Sequence, residues 1–199
     1  MNREQDNPKY QDIVRTAHKL FWKHGVTRVS IEEICRESKV SKMTYYKFFS
    51  NKKELAITVI DDMFDDMQAQ YEKIMNADIP FEEKIKRQLL AKFEGTKEIS
   101  KELISDIYAN SHLGLHEHWE AKANQMTKRV VDDYKKAQKE GLIRQDVNLG
   151  FIMHFNAKMA EMIYDSNLSS MYNSTQDLIM EIANLFFYGI LTRENKNGD

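Results

Sequence analysis

Glycine and proline are scarce, at seven and two in 199 residues, against an average combined share of roughly 12%. Sandwiches, barrels and doubly wound sheets need a turn residue every ten residues or so. The shortage counts against them and predicts an all-α chain of long helices. Cysteine is down to one, Cys35, which can form no internal disulfide and no cysteine-rich metal site, a composition suited to a reducing compartment. No long apolar run is present either. The window 178–191 is interrupted by Glu181 and Asn184 and falls short of the about 20 residues of a membrane span, so it reads as a buried helix. Residues 1–7 are polar and charged, without the apolar stretch of a secretory signal. A cytoplasmic protein with no membrane partner is expected. No serine-nucleophile motif, phosphate-cradling glycine loop or carboxylate pair stands out, which predicts a protein that is not an enzyme and takes no cofactor.

The net charge of −2 conceals a division. Residues 1–56 carry twelve Lys/Arg against seven Asp/Glu, whereas residues 57–199 carry seventeen against twenty-four. Between Arg36 and Lys53 there are six cations and one anion, the footprint of a phosphate-binding surface. Helix signals punctuate the same stretch. Asn7-Pro8 opens a helix whose apolar residues Ile13, Val14, Ala17, Leu20 and Phe21 recur at helical spacing, and Gly25 closes it. Ser30-Ile31-Glu32-Glu33 is a capping box for a second, short helix, and Ser41 caps a third that carries Thr44 to Phe48. Two short helices joined so tightly are a helix-turn-helix signal. Asn51-Lys52-Lys53-Glu54 then launches a long helix with Leu55, Val59, Met63, Met67 and Tyr71 on its period.

Residues 10–56 resemble the TetR family of one-component transcriptional regulators. The resemblance rests on Ala17-x-x-Leu20-Phe21-x-x-x-Gly25, then Ser30-x-x-x-Ile34, then Val40-Ser41-Lys42-x-Thr44-x-Tyr46-x-x-Phe49-x-x-Lys52-x-x-Leu55. Three positions depart from the family pattern: Cys35 for alanine, Lys39 for glycine in the tight turn, and Met43 for a small residue. A left-handed Lys39 costs roughly 1 kcal/mol, so a looser turn is expected. With Val40 and Phe49 as apolar anchors, Ser41, Lys42, Thr44, Tyr45 and Lys47 are expected to point outward, Thr44 or Tyr45 toward base edges. The resemblance implies that Tyr46 and Lys52 clamp the DNA backbone, and Lys52 also stands at a helix N-terminus that attracts phosphate. Arg28 and Ser30 complete the predicted DNA-binding set. The expected division is a DNA-binding domain over 1–52 and a helical effector-binding and dimerisation domain over 53–199.

In that second part, helices are predicted over 81–108 with a break near Gly95, over 113–139, over 149–168 and over 175–192. The last is apolar on more than one side, so it needs a second partner, and another copy of the chain is expected, since a dimer reaches two operator half-sites. Phe151, Phe155, Met162, Ile182, Leu185, Phe186, Phe187 and Leu191 are the expected dimer interface. The resemblance implies a small, largely apolar effector and release of a repressor from operator DNA. Tyr108, His112, Trp119, Phe155 and Met159 are the pocket candidates. One alternative stays open: His112 and His116, at i, i+4 spacing, could hold a metal, as a metal-responsive regulator or a helical metalloenzyme would require.

Overall fold

The computed structural model describes residues 6–163 and 165–191, with side chains at all of these except 111, 153, 156, 157 and 159–161. Ten α-helices run in order: α1 Pro8–His24, α2 Ile31–Glu37, α3 Lys42–Phe48, α4 Lys52–Met75, α5 Phe81–Gly95, α6 Lys101–Tyr108, α7 His116–Lys139, α8 Leu149–Met162, α9 Ser166–Ser169 and α10 Thr175–Ile190. A short 3-10 turn, Ser111–Leu113, precedes α7. No strand occurs among the described residues beyond an isolated bridge between Ile143 and Leu191. The capping signals act as expected. The Asn7 side chain accepts from the Lys9 N–H, Ser30 from Glu33, Ser41 from Thr44 and Ser174 from Asp177. The predicted helix over 149–168 is shorter: it ends at Met162, and Asp165 caps the separate single turn of α9.

Packing gathers the chain into two units, the residues up to Met67 with Glu98–Ala123, and Gln68–Lys97 with the residues from Asn124 onward. The first takes in α1–α3, most of α4, α6 and the start of α7, and so extends well past residue 52. Its core is the buried face of α1, Ile13, Val14, Ala17 and Phe21, with Ile34 of α2, Tyr45 of α3, Phe49, and Leu55 and Ala56 of α4. Tyr10 extends it outward by stacking on Phe49 at 5.1 Å. Burying each of these large side chains contributes about 1.5–3 kcal/mol. Between α2 and α3, Lys39 takes φ +57°, and the Val40 N–H donates to the Cys35 carbonyl at 3.0 Å. The turn is therefore tight, contrary to expectation, because the packing of Val29, Ile34 and Tyr45 on either side outweighs one strained residue.

The second unit is built on α5 and α10, whose Ile85, Leu89 and Ala183 bury one another with Phe187 and Leu191 against them. A neighbouring cluster joins Tyr134 and Ala137 of α7, Ile143, Ile152 of α8 and Ile190 of α10, with Phe186 and Phe187 packed on it. The loop after α7 is tied down by Gln138, whose amide donates to the Arg144 and Val147 carbonyls at 2.9 and 2.8 Å.

Candidate nucleic-acid interface

The N-terminal end of α3 presents an outward face that rests on a fully packed inner one. Ser41 holds the first turn by accepting from the Thr44 N–H at 3.1 Å, and its hydroxyl lies 3.0 Å from that of Thr44. Lys42, Tyr46 and Lys47 are exposed, and Thr44 is half-buried at the edge of the same face. Tyr45 is not on that face. Its side chain is 0% exposed, its ring lies against Phe49, and its hydroxyl donates to the Asn51 carbonyl at 3.3 Å. The expectation of an outward Tyr45 is corrected by helical geometry: one turn before the buried Phe49, it shares that residue's inward side. Burial accordingly holds its phenol well above the ordinary pKa.

Met43 takes the outward place instead. It is 76% exposed, a thioether at the second position of a short basic helix, where an apolar side chain suits contact with a thymine methyl group. In sequence it registers only as a departure from a small residue. Lys42 is not a free cation, since its ammonium is paired with Glu32 of α2. That hydrogen bond raises the Lys42 pKa and lowers that of Glu32, but both groups are open to solvent, so the pair contributes little stability and a phosphate can compete for the lysine.

Arg28 is exposed in the loop between α1 and α2, and Ser30, also exposed, spends its hydroxyl on the cap of α2. Lys52, expected as a phosphate clamp, is half-buried. Its ammonium donates to the carbonyls of Thr27 at 3.1 Å and Val29 at 2.7 Å, which leaves one of three donors free. Burial lowers its pKa, and the charge of Asp106 works in the opposite direction.

The effector candidates are not all brought together. Tyr108 and Trp119 are, with ring centres 6.3 Å apart, and Phe64 joins them 5.0 Å from Trp119. Next to this aromatic group lies an apolar cavity of about 20 Å³, bounded by residues that include Phe21, Ile60, Met63, Ile107 and Trp119. That is room for a single water-sized sphere. His112 is exposed on the 3-10 turn, Phe155 belongs to the second unit, and the side chain of Met159 lies outside the described residues. The helical face expected to carry both His112 and His116 is not formed, because Gly114 takes φ +59° and α7 begins only at His116. His116 faces Tyr108 and approaches Glu120 at 3.5 Å. The unforeseen partner is His118, 2.8 Å from Asp61, the carboxylate that also receives Lys122. Among the described residues no group of three metal-ligating side chains is assembled.

In the second unit a groove of about 560 Å³ is lined by Phe151, Ile152, Phe155, Leu185 and Phe186 with Arg144 at its rim. Phe151 and Leu185 are 63% and 69% exposed, and Phe155, Met162 and Tyr188 are also open. Ile182 is half-buried. Phe186, Phe187 and Leu191, expected outward with them, are half-buried in their own unit: Phe187 and Leu191 pack with Ala183 against α5, and Phe186 packs on the cluster of Tyr134, Ile143, Ile152 and Ile190.

Three comparisons with known proteins bear on this surface. The profile of bacterial regulatory proteins of the tetR family matches residues 13–59. An uncharacterized HTH-type transcriptional regulator of Bacillus subtilis, YhgD, is 29% identical over 85 residues, 43% of this chain and 44% of its own length. The transposon Tn10 TetC protein of Escherichia coli is 43% identical over 56 residues, 27% of this chain and 28% of its own. The chain thus spans less than half the length of these relatives. Among solved structures, the regulatory protein TetR from Rhodobacter sphaeroides superposes with a TM-score of 0.75 at 12% identity, covering 93% of this chain and 100% of that one. The fatty acid degradation regulator FadR from Bacillus halodurans gives 0.69 at 17%, covering 94% and 99%. At such identities the likeness concerns the fold.

Proposed function

We propose that the chain is a TetR-family transcriptional regulator, a repressor that binds a pseudo-palindromic operator as a homodimer and leaves it when a small, largely apolar effector binds. The observation that carries the reading is the outward face of α3, where Lys42, Met43, Thr44, Tyr46 and Lys47 surround the buried anchor formed by Tyr45 and Phe49. Lys42 and Lys47, with Arg28 and the remaining donor of Lys52, supply cations for phosphates, while Met43 and Thr44 meet base edges in the major groove. Two recognition helices in a symmetric dimer reach half-sites about 34–36 Å apart. The groove bounded by Phe151, Phe155 and Leu185 is the proposed dimer contact, with Met162 and Ile182 beside it.

The effector is proposed to enter beside Tyr108 and Trp119. A molecule larger than the cavity there must part its walls, which are contributed by α1, α4, α6 and α7 of the unit that also carries α3. Occupancy and DNA docking then favour different arrangements, and a differential affinity of about 1–3 kcal/mol changes operator binding 5–150-fold. The metal-responsive alternative lacks the helical His112/His116 face it requires.

Selection of fragments from the source genome with the full-length chain, followed by sedimentation of the recovered duplexes with protein, tests the reading. Enrichment of a short inverted repeat, occupied by two chains per duplex, is expected. Recovery of no duplex above a random-sequence background would overturn it.

A further inference from the structure

Asp106 is the one acidic side chain among the described buried residues, at 6% exposure, and it lies on α6, far in sequence from the helix-turn-helix. Its carboxylate accepts from the Thr27 N–H at 2.8 Å and from the Thr27 hydroxyl, and the Asn110 amide donates to both Thr27 Oγ1 at 3.0 Å and Asp106 Oδ1 at 3.4 Å. A buried carboxylate is retained only where such donors compensate for the loss of water. The approach is as close as the backbone permits. Gly25 takes φ +77°, and a Cβ built there would lie 2.7 Å from Asp106 Oδ2 and 2.9 Å from Glu102 Cβ. Six residues before Asp106, the Ser100 N–H that heads α6 donates to the Trp22 carbonyl at 3.0 Å.

The same loop is gripped from its other side. Lys52 holds the Thr27 and Val29 carbonyls, Val29 is buried, and Ser30 begins the cap of α2. Arg28 stands exposed between the two held residues. An exposed arginine on a free loop would lose several rotors and two backbone dihedrals on meeting a phosphate, whereas on a pinned loop most of that backbone cost is already met in the unbound protein.

We infer that Asp106 is a positioning residue for DNA docking: from α6 it fixes the α1–α2 loop so that Arg28 and the ammonium of Lys52 stand ready for the phosphate backbone. On this account α6 is a working part of the DNA-reading unit, and any displacement of α6 is felt first at Arg28. The inference rests on the DNA-binding reading above and deepens it by naming the residue through which the reading surface is controlled.

The test is a double-mutant cycle on the full chain, binding a fluorescein-labelled duplex recovered by selection from a randomised library with the wild-type protein. Asp106→Ala is expected to weaken binding roughly tenfold, the scale of one charge-assisted hydrogen bond, and to reduce the slope of log K against log salt by about one, as Arg28→Ala should. In the Arg28→Ala background the same change should cost less than about twofold, because coupled residues are not additive. If Asp106→Ala does not fold, Thr27→Val, which removes the hydroxyl and keeps the N–H, should show the same pattern at smaller amplitude. Wild-type affinity and slope in folded Asp106→Ala or Thr27→Val would overturn the inference while leaving DNA binding intact. So would an equal loss with and without Arg28. A wild-type chain that selects no duplex would overturn the DNA-binding reading itself, and the role of Asp106 with it.

Discussion

The two packed units solve opposite problems with their surfaces. Around the first, polar side chains are spent on backbone: Ser30 and Ser41 on helix caps, Asp106 and Lys52 on one loop. What stays exposed on α3 is two cations, Lys42 and Lys47, with Met43 and Tyr46 between them. The second unit leaves Phe151, Phe155, Leu185 and Tyr188 open along α8 and α10, and an apolar surface of that kind marks a protein contact. One face carries the cations that the proposed DNA contact needs. The other carries the apolar area that the proposed self-association needs.

The contrast breaks most visibly if charge is placed on the apolar face. Phe151→Asp with Leu185→Asp should weaken self-association by at least about 1000-fold, ~4 kcal/mol, because each carboxylate would have to be buried without a partner. Sedimentation velocity should show folded monomers, and a dimer that persists would remove the groove from the interface. Phe187→Asp should behave differently. That ring is packed on Ile85, Leu89 and Ala183, so the expected outcome is loss of the folded chain in a thermal melt rather than clean monomers.

A second prediction separates the two faces of α3. Tyr45→Ala should cost about 3–5 kcal/mol of stability, as large-to-small changes at packed aromatic positions do. Tyr45→Phe removes only a hydrogen bond of 3.3 Å and should cost about 0.5–1.5 kcal/mol with base preference unchanged. Met43→Ala and Thr44→Ala should do the reverse, with unaltered melting and a shift in preference of about 1–3 kcal/mol at one base pair. Denaturant melts and competition among single-base variants of the selected duplex read the two properties separately.

The smallest effect concerns pH. Burial would raise the Asp61 pKa, but hydrogen bonds from Lys122 and His118 outweigh it and leave the group below its ordinary 3.8. A carboxylate depressed in the folded state adds stability at pH values above its unfolded pKa and loses it as the pH falls through the folded value. Asp61→Asn should therefore lower the melting temperature near neutrality by about 2–4 °C, the equivalent of ~1 kcal/mol in a chain of this size, and the gap to wild type should close below about pH 3.9. A gap that persists to the lowest pH would mean that the carboxylate charge is not what matters.

Local signals were legible in the sequence wherever a residue acts on its own neighbours. Asn7, Ser30, Ser41 and Ser174 cap the helices they precede, since a cap requires only three or four residues of chain. Gly25 was legible as a helix stop, but the carboxylate pressed against it was not: Asp106 is 79 residues from Thr27, and nothing in an isolated α6 distinguishes it from a solvated acid. Tyr45 and Tyr46 are both expected on the DNA side, yet one is buried and the other exposed. On a seven-residue helix a rotation of 100° decides which side meets the core, and the apolar pattern is too short to fix it. For α10 the apolar pattern announced two partners without saying which residues meet which. The packing of α5 assigns Ala183, Phe187 and Leu191 inward and leaves Leu185 outward.

The most direct test of the central claim, that the outward face of α3 docks on duplex DNA, is the salt dependence of binding to the selected duplex, measured by fluorescence anisotropy for wild type and Lys42→Ala. The wild type should show log K falling linearly with log salt, and Lys42→Ala should bind more weakly at every concentration with a slope reduced by about one. An identical slope and affinity in the two proteins would contradict the assignment of that face.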